Sequence, residues 1–594
     1  MKNSIRLALT MTATLALAAC GGGNNAANRA LVVGSSQEPP SLNWFTESSS
    51  VTSEIGAYLI RGLVYVDDEG RPQPDLAVEV PSEANGRVQI TRENGRPTRL
   101  TVRWTLREGL KWSDGTPITT DDVVTSHRIY LDERLPVPTR EGVPRSIEKV
   151  DDRTFVETYE PPYLYYSLGN TYPILNAKQW RPVYDRAVQA AQDAGEDGAA
   201  TAFTEAFQNN ILVNARGAKD LVTSGPFKLT DWKAGQNLTL TRNDNYWQKP
   251  TVARPAQKVT YLFYADNNTL VTNIASNRVD AVSSAGLASN PDTLRSLERA
   301  KNNYVVDSVP QANWEHIDIN KFSNVASVKA LGLDDKRTRQ ALTYAINRRA
   351  IVDQVLQGLG RISNVYINSE SPFYLKEADD AYPYDPDKAR ALLKELGWTP
   401  GADGVLTRGG QRFDFELVTT AGNRLRERVE QFVQRDLKAV GINVRINNAP
   451  ADVVFDPGYF SNAVAGKWKG GFMFTWNSQP LALDASLFAI DDPTTSVKDD
   501  YIPTSANGYA GQNIGGWRNQ RFQDLWIQAR SEFDENRRRD AYQQMQRILL
   551  DEVPAIPLYE SRAILVHKKD LLNYNFNSFT RTAGWNAWDI GWDD

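Results

Sequence analysis

The sequence predicts an α/β protein of at least two lobes, and three observations carry that prediction. Its 594 residues exceed what one ordinary hydrophobic core holds. The first half reads as a β-rich meander, and the second half contains a strand-helix-strand unit of the kind that builds parallel sheets.

At the start of the chain, Met1, Lys2 and Arg6 precede an apolar run from Leu7 to Ala16, then Leu17-Ala18-Ala19-Cys20. The pattern predicts a signal peptide over 1–19 ending in a lipobox, with Cys20 as the lipid attachment site. The apolar run is far below the roughly 20 residues that span a bilayer. Gly21-Gly22-Gly23-Asn24-Asn25 opens a flexible tether over 20–28. Cys20 is the only cysteine, which excludes an internal disulfide, a redox pair and a cysteine-rich zinc site. No later stretch is long and apolar enough to span a membrane.

Without Lys2 and Arg6 the formal charge moves from -5 to -7, a poor balance for binding nucleic acid. The 15 Trp and 24 Tyr serve cores, and they also suit pockets and interfaces.

Leu31 to Gly34 reads as the first strand. Asn85-Gly86 and Asn94-Gly95 are signals for type I′ turns, and Leu100 to Leu106 alternates with period two. Thr119 with Asp122 forms a capping box ahead of a helix that begins near Val123. From Arg181 to Asn210 the composition predicts an insertion of two short surface helices. Asn237 to Thr241 and Val259 to Tyr264 read as strands.

In the second half, Arg339 to Val355 reads as one amphipathic helix with Leu342, Ala345, Ile346, Val352 and Val355 inward. Asp385, Pro386 and Gly397 stand where a helix wants its N-cap, N1 proline and C′ glycine. Phe413 to Thr420 is a strand, Leu425 to Leu437 one face of a helix, Gly441 its stop, and Ile442 to Ile446 the next strand.

No catalytic constellation emerges. The three histidines, His127, His316 and His567, lack metal-ligand spacing, and neither GxSxG nor a P-loop occurs. Adjacent acids such as Asp121-Asp122 and Asp499-Asp500 suit caps and solvated turns. An enzyme is not expected, nor a metal or cofactor.

Leu106-Arg107-Glu108-Gly109-Leu110-Lys111-Trp112-Ser113-Asp114-Gly115-Thr116-Pro117-Ile118-Thr119-Thr120-Asp121-Asp122-Val123 resembles the signature of a family of extracellular solute-binding proteins. That family, family 5, includes the oligopeptide-, dipeptide- and nickel-binding proteins of ABC importers. Further matches follow in order: Pro74 to Ala77, Ser224 to Phe227, Arg242 to Trp247, Asn277 to Asp280, Arg337 to Arg348, Tyr384 to Ala389 and Pro554 to Leu558. Most of the matched residues are structural on physical grounds. Trp112-Ser113-Asp114-Gly115, for example, reads as a turn with Gly115 free to take positive φ.

The resemblance implies a bilobal, periplasmic-binding-protein-like (Venus flytrap) fold. Lobe one would be 29–308 completed by 553–594, with a β-rich subdomain at about 64–221, and lobe two 309–552. It implies a monomer that captures a peptide or peptide-like solute in the cleft and delivers it to the permease of an ABC importer. The protein would be extracytoplasmic and held to the membrane by its lipid alone. A non-peptide solute, such as an oligosaccharide or a metal chelate, and a sensing or interaction role in the envelope are the alternatives.

Ligand-facing segments of similar proteins correspond here to Trp44 to Ser48, with Glu47 and Ser48 as candidates, and to Phe474 to Gln479 running on to Asp484 and Phe488. The resemblance therefore nominates Trp44, Glu47, Ser48, Trp476, Asn477, Gln479 and Asp484 as ligand-binding. Peptide-binding relatives carry an aspartate three residues after the tryptophan to pair with the ligand amine. This chain has Gln479 there, and Asp484 is the nearest carboxylate that could substitute.

Overall fold

The computed structural model describes residues 29–593 apart from 46–48, 136, 138–139, 141, 169–171, 209–219, 455–468, 479–480, 482–484, 492–497 and 505–510. The expected signal peptide, Cys20 and the tether lie outside the described residues, as do Glu47, Ser48, Gln479 and Asp484.

Eleven strands make one mixed sheet. They are β1 (Leu31–Ser35), β2 (Phe227–Lys233), β3 (Asn237–Arg242), β4 (Lys258–Phe263), β5 (Ala281–Val282), β6 (Tyr304–Ile319), β7 (Gly360–Ile362), β8 (Asp414–Val418), β9 (Asn443–Ile446), β10 (Gly471–Asn477) and β11 (Ala555–Lys568). Their order is β9-β8-β10-β6-β11-β5-β1-β4-β3-β2, with β7 set against β11. Two parallel groups stand apart in it: β5-β1-β4 at one end and β9-β8-β10 at the other. Antiparallel β6 and β11 join them.

Each end feeds its own core. β1, β3 and β4 bury Leu31, Val33, Leu238, Leu240 and Tyr261 with Trp104, Trp112, Trp180 and Trp592. β8 and β9 bury Phe415, Leu417 and Val444 with Trp398, and Phe472 and Phe474 of β10 enter a cluster with Trp526. The fold is thus α/β and bilobal, because the crossing strands join two distinct cores.

Among the helices are α1 (Ser50–Leu59), α2 (Asn267–Ala275), α3 (Pro291–Ser296), α4 (Arg424–Ala439), α5 (Gln520–Ser531) and α6 (Glu535–Glu552). The β-rich part of the first lobe is a four-stranded antiparallel sheet of Val88–Glu93, Arg96–Thr105, Thr154–Tyr159 and Ser146–Lys149. Asn94 and Gly95, with φ of 50° and 79°, turn its first hairpin as a type I′ turn requires. At Asn85-Gly86 only the glycine has positive φ, and Asn85 instead accepts from Ser82 N at 2.9 Å, so this is no hairpin turn.

The signature segment is a tightly bonded structural turn. Gly115 has φ 86°, and Asp114 Oδ1 accepts from Thr116 N at 3.0 Å. The capping box on Thr120–Leu131 is present, and the same Asp122 carboxylate also accepts from Trp112 Nε1 at 3.2 Å and Ala177 N at 2.7 Å.

Two expectations need correction. The stretch expected as an insertion of two short surface helices does form two helices, which meet at the non-helical Gly195 within Ala177–Gln208, but they are not surface helices, because Trp180, Val183, Ala187, Phe203 and Phe207 enter the first core. Alanines spaced along a polar face disguised a buried one. The single helix expected over Arg339 to Val355 is interrupted: Lys336–Ala345 ends at Ile346 in extended conformation, and Asn347 caps a new turn at Arg348–Ala350. Asp436 of α4 accepts from Asn347 N at 2.9 Å, a tertiary bond that stabilises the break. The inward residues are still buried.

Candidate functional site

In open α/β sheets, ligands lie beyond the carboxyl ends of parallel strands. Here there are two sets of such ends, those of β5-β1-β4 and those of β9-β8-β10. The segments that follow β4, β5 and β8 meet across one cavity of about 970 Å³. The first lobe lines it with Asn267 and Asn268 of α2 and with Ala288 to Thr293; the second contributes Thr420 to Arg426 and Arg428.

The strands that join the lobes are suited to bend beside this cavity. β6 and β11 pair along their length, but the register shifts between Pro310 and Trp314, where an irregularity weakens the ladder. Glu560, opposite Trp314, is buried and accepts from Ser369 N at 2.9 Å and Ser369 Oγ at 2.6 Å. Burial raises its pKa, opposed by those two bonds.

Each lobe fixes its strand-end loops with a buried glutamate. In the first, Glu54 of α1 accepts from Ser283 Oγ (2.9 Å), Ser284 Oγ (2.6 Å), Ala285 N (3.3 Å) and Tyr261 Oη (3.2 Å). That loop in turn accepts Ser36 N at Gly286 O, 2.9 Å, so the segments after β5 and β1 are tied together. In the second lobe, Glu315 of β6 accepts from Arg426 Nε at 2.7 Å, while Arg426 also donates to Thr420 Oγ1 (2.8 Å) and Thr475 Oγ1 (2.9 Å).

Arg426 is therefore committed to its own lobe. Arg424 is exposed and makes no ion pair among the described residues, and Arg428 lies 3.9 Å from Asp292 across the cavity. With the N-terminus of α4, these two give the second-lobe wall a positive potential.

Of the nominated residues, Trp44 is half-buried against α1, where a Cβ on Gly56 would come within 2.7 Å of its Nε1. Trp476 is half-buried on β10 opposite Trp314, and Asn477 is exposed at the end of that strand. Phe474 and Phe488, at the two ends of the second-lobe segment, are core residues. Sequence reasoning missed Arg424, Arg428 and the first-lobe residues of the cavity. The run Thr419-Thr420-Ala421-Gly422-Asn423 after a strand was the available signal, since small polar residues at a parallel strand's carboxyl end mark such loops.

The family profile described as "Bacterial extracellular solute-binding proteins, family 5 Middle" matches residues 72–495. The chain belongs to that family. The oligopeptide-binding protein AppA of Bacillus subtilis is 27% identical over 74% of this chain and 75% of its own. OppA, the oligopeptide-binding protein of the same organism, is 23% identical over 93% of each. Among solved structures, the oligopeptide-binding protein of Thermus thermophilus, complexed with a pentapeptide, is 38% identical, with a TM-score of 0.71 over 95% of this chain and 96% of its own. Family 5 members are solute-binding proteins that work with ABC permeases, and the bilobal fold described above is theirs. No helix among the described residues is long and apolar enough to cross a membrane.

Proposed function

We propose that this protein is the substrate-binding lipoprotein of an ABC importer, capturing a peptide or peptide-like solute between its lobes and delivering it to the permease. The observation that carries the proposal is the cavity lined by strand ends of both lobes beside irregular crossing strands. The 38% identity to a protein that holds a pentapeptide supports a peptide as solute. A ligand bound between lobes favours the closed state by its differential affinity. Lobe one is 29–308 with 553–594 and lobe two 309–552, and the working form is a monomer on the outer side of a membrane, tethered by lipid on Cys20.

In this reading Trp44, Glu47, Ser48, Trp476 and Asn477 face the ligand. Gln479, where peptide-binding relatives carry aspartate, can accept a hydrogen bond from an ammonium but supplies no charge. Asp484 anchors the amine instead. Arg424 and Arg428 suit the ligand's negative end.

Native mass spectrometry of protein purified without refolding identifies the retained solute; an oligosaccharide or a chelate there would replace the peptide reading. Calorimetry with a free and an N-acetylated pentapeptide, on the parent and on Asp484→Asn, tests the anchor. Equal affinity for both peptides in the parent rules out an amine anchor, and an unchanged preference in the variant rules out Asp484. Cys20→Ala should move the protein from membranes to the soluble fraction; persistence on membranes together with an unlipidated parent would refute the anchor.

A further inference from the structure

Away from the crossing strands, the lobes meet at a second place. After the strand Thr154–Tyr159, the loop 160–168 reaches from the β-rich sheet toward α6. Tyr159 and Tyr163 stack with ring centroids 6.1 Å apart, and Tyr163 meets Tyr165 edge-on at 5.8 Å. Tyr165 Oη lies 3.0 Å from Tyr542 Oη on α6, and Tyr542 packs on Phe373 at 5.2 Å. A column of four tyrosines thus runs from the core of the β-rich sheet to the core of the second lobe, and the Tyr165–Tyr542 hydroxyl pair crosses the boundary.

The surfaces around that pair are not closely packed. A cavity of about 880 Å³ separates Pro97, Pro161 and Pro162 of the first lobe from Ile527 and Ser531 of the second. Phe533, between α5 and α6, also packs against the first core, so the hydroxyl pair is a polar contact beside a small apolar one, next to a gap roomy enough for water. Tyr542 is fully buried, and burial, with Tyr165 beside it, pushes its phenol well above the ordinary range.

We propose that Tyr165 and Tyr542 form a latch that holds the β-rich sheet against the second lobe and biases the molecule toward closure before any solute arrives. A hydrogen bond between neutral groups shifts such an equilibrium about fivefold. That is enough to prepare the cleft and too little to trap it shut. The proposal rests on the reading of a cleft that opens and closes, and its test needs no solute, so the two can fail separately.

The test uses the full chain with Cys20→Ala, carrying spin labels on Glu93→Cys of the β-rich hairpin and Asp540→Cys of α6, both exposed positions. Distances are measured by pulsed electron resonance without ligand. Tyr165→Phe, which keeps the ring, should lower the ratio of short to long distances about fivefold. Tyr542→Phe should do the same, and the double variant should lose no more than either single one. Unchanged distributions in both single variants, or losses that simply multiply in the double variant, would overturn the latch. An unaltered melting temperature separates the latch from general damage. Failure of every peptide to bind would sink the peptide reading and leave these distance ratios untouched.

Discussion

Buried carboxylates of the first lobe and buried cations of the second meet the cost of burial in opposite ways, although the first lobe also buries the Arg61–Asp75 ion pair and the second buries Glu430 against the Asn448 amide. In the first, carboxylates sit among neutral donors: Glu54 as described, and Glu157, which accepts from Trp104 Nε1 (2.8 Å), Tyr159 Oη (2.8 Å) and Tyr172 Oη (3.1 Å). In the second, cations sit among backbone carbonyls. Lys321 donates to Ile319 O (2.5 Å) and Pro554 O (2.7 Å), Arg339 to Leu333 O (2.8 Å) and Val553 O (2.9 Å), and Arg348 to Ser363 O (2.9 Å).

Burial penalises the charged form in both lobes, so the acids rise and the bases fall. Glu54 and Glu157 are pushed up from 4.5, and Lys321 is pushed down from 10.5 to about 7. The difference gives these groups opposite senses of pH. For the raised acids, the stability they contribute is complete below 4.5 and is lost as pH rises through their folded values. For Lys321 it is complete above 10.5 and is lost as pH falls through about 7.

The Glu315–Arg426 pair breaks the pattern, because in the second lobe it matches a buried carboxylate with a cation. Arg426→Met strands that carboxylate, and the expected cost is about 3–5 kcal/mol by urea unfolding. Adding Glu315→Gln to it should restore most of the loss. A single variant as stable as the parent would mean that Thr475 suffices for Glu315, as neutral donors do for Glu54, and the contrast between the lobes would disappear.

Lys321 tests the second lobe's sense of pH. The parent should gain up to about 4 kcal/mol between pH 7 and pH 10, since the unfolded lysine binds a proton there that the folded one has lost. In Lys321→Met this gain should be absent, so the variant's stability relative to the parent falls as pH rises. Equal slopes for the two proteins in urea titrations at several pH values would show that Lys321 is not the source.

These charge patterns were invisible in the sequence, whereas the frame around them was not. Capping at Thr119 and Asp385, the turn at Gly115 and the stop at Gly441 are local, and each formed where its residues predict. The strand-helix-strand of β8, α4 and β9 is parallel as expected. Glu54 and Ser284 are 230 positions apart, and Glu315 and Arg426 are 111 apart, so no spacing rule connects them. The break at Ile346 likewise depends on Asp436, which sits 89 positions beyond Asn347. The resemblance nominated Trp476 and Asn477, which stand at the end of β10 next to β6. Of the cavity itself, the loop after β8 was legible only as the end of a strand.

The smallest effect belongs to Glu54, and it has the opposite sign to that of Lys321. Glutamine nearly matches a protonated glutamic acid in shape, and its carbonyl can still accept from Ala285 N. Its amide needs an acceptor, and the Ser283, Ser284 and Tyr261 hydroxyls can each rotate to present an oxygen. Glu54→Gln should therefore lie within about 1 kcal/mol of the parent below pH 4.5, where the raised Glu54 holds its proton in the folded and unfolded chain alike. As pH rises the parent must ionise a buried carboxyl whose partners among the described residues are neutral, whereas the glutamine does not titrate. The variant should then gain on the parent as pH rises through the folded value of Glu54, above 4.5, while Lys321→Met loses ground to its parent above pH 7. Urea unfolding of all three proteins across these pH values decides the matter. A Glu54→Gln curve that runs parallel to the parent's would mean that the four donors fully offset burial, and the first lobe would then have no pH sense of its own from this residue.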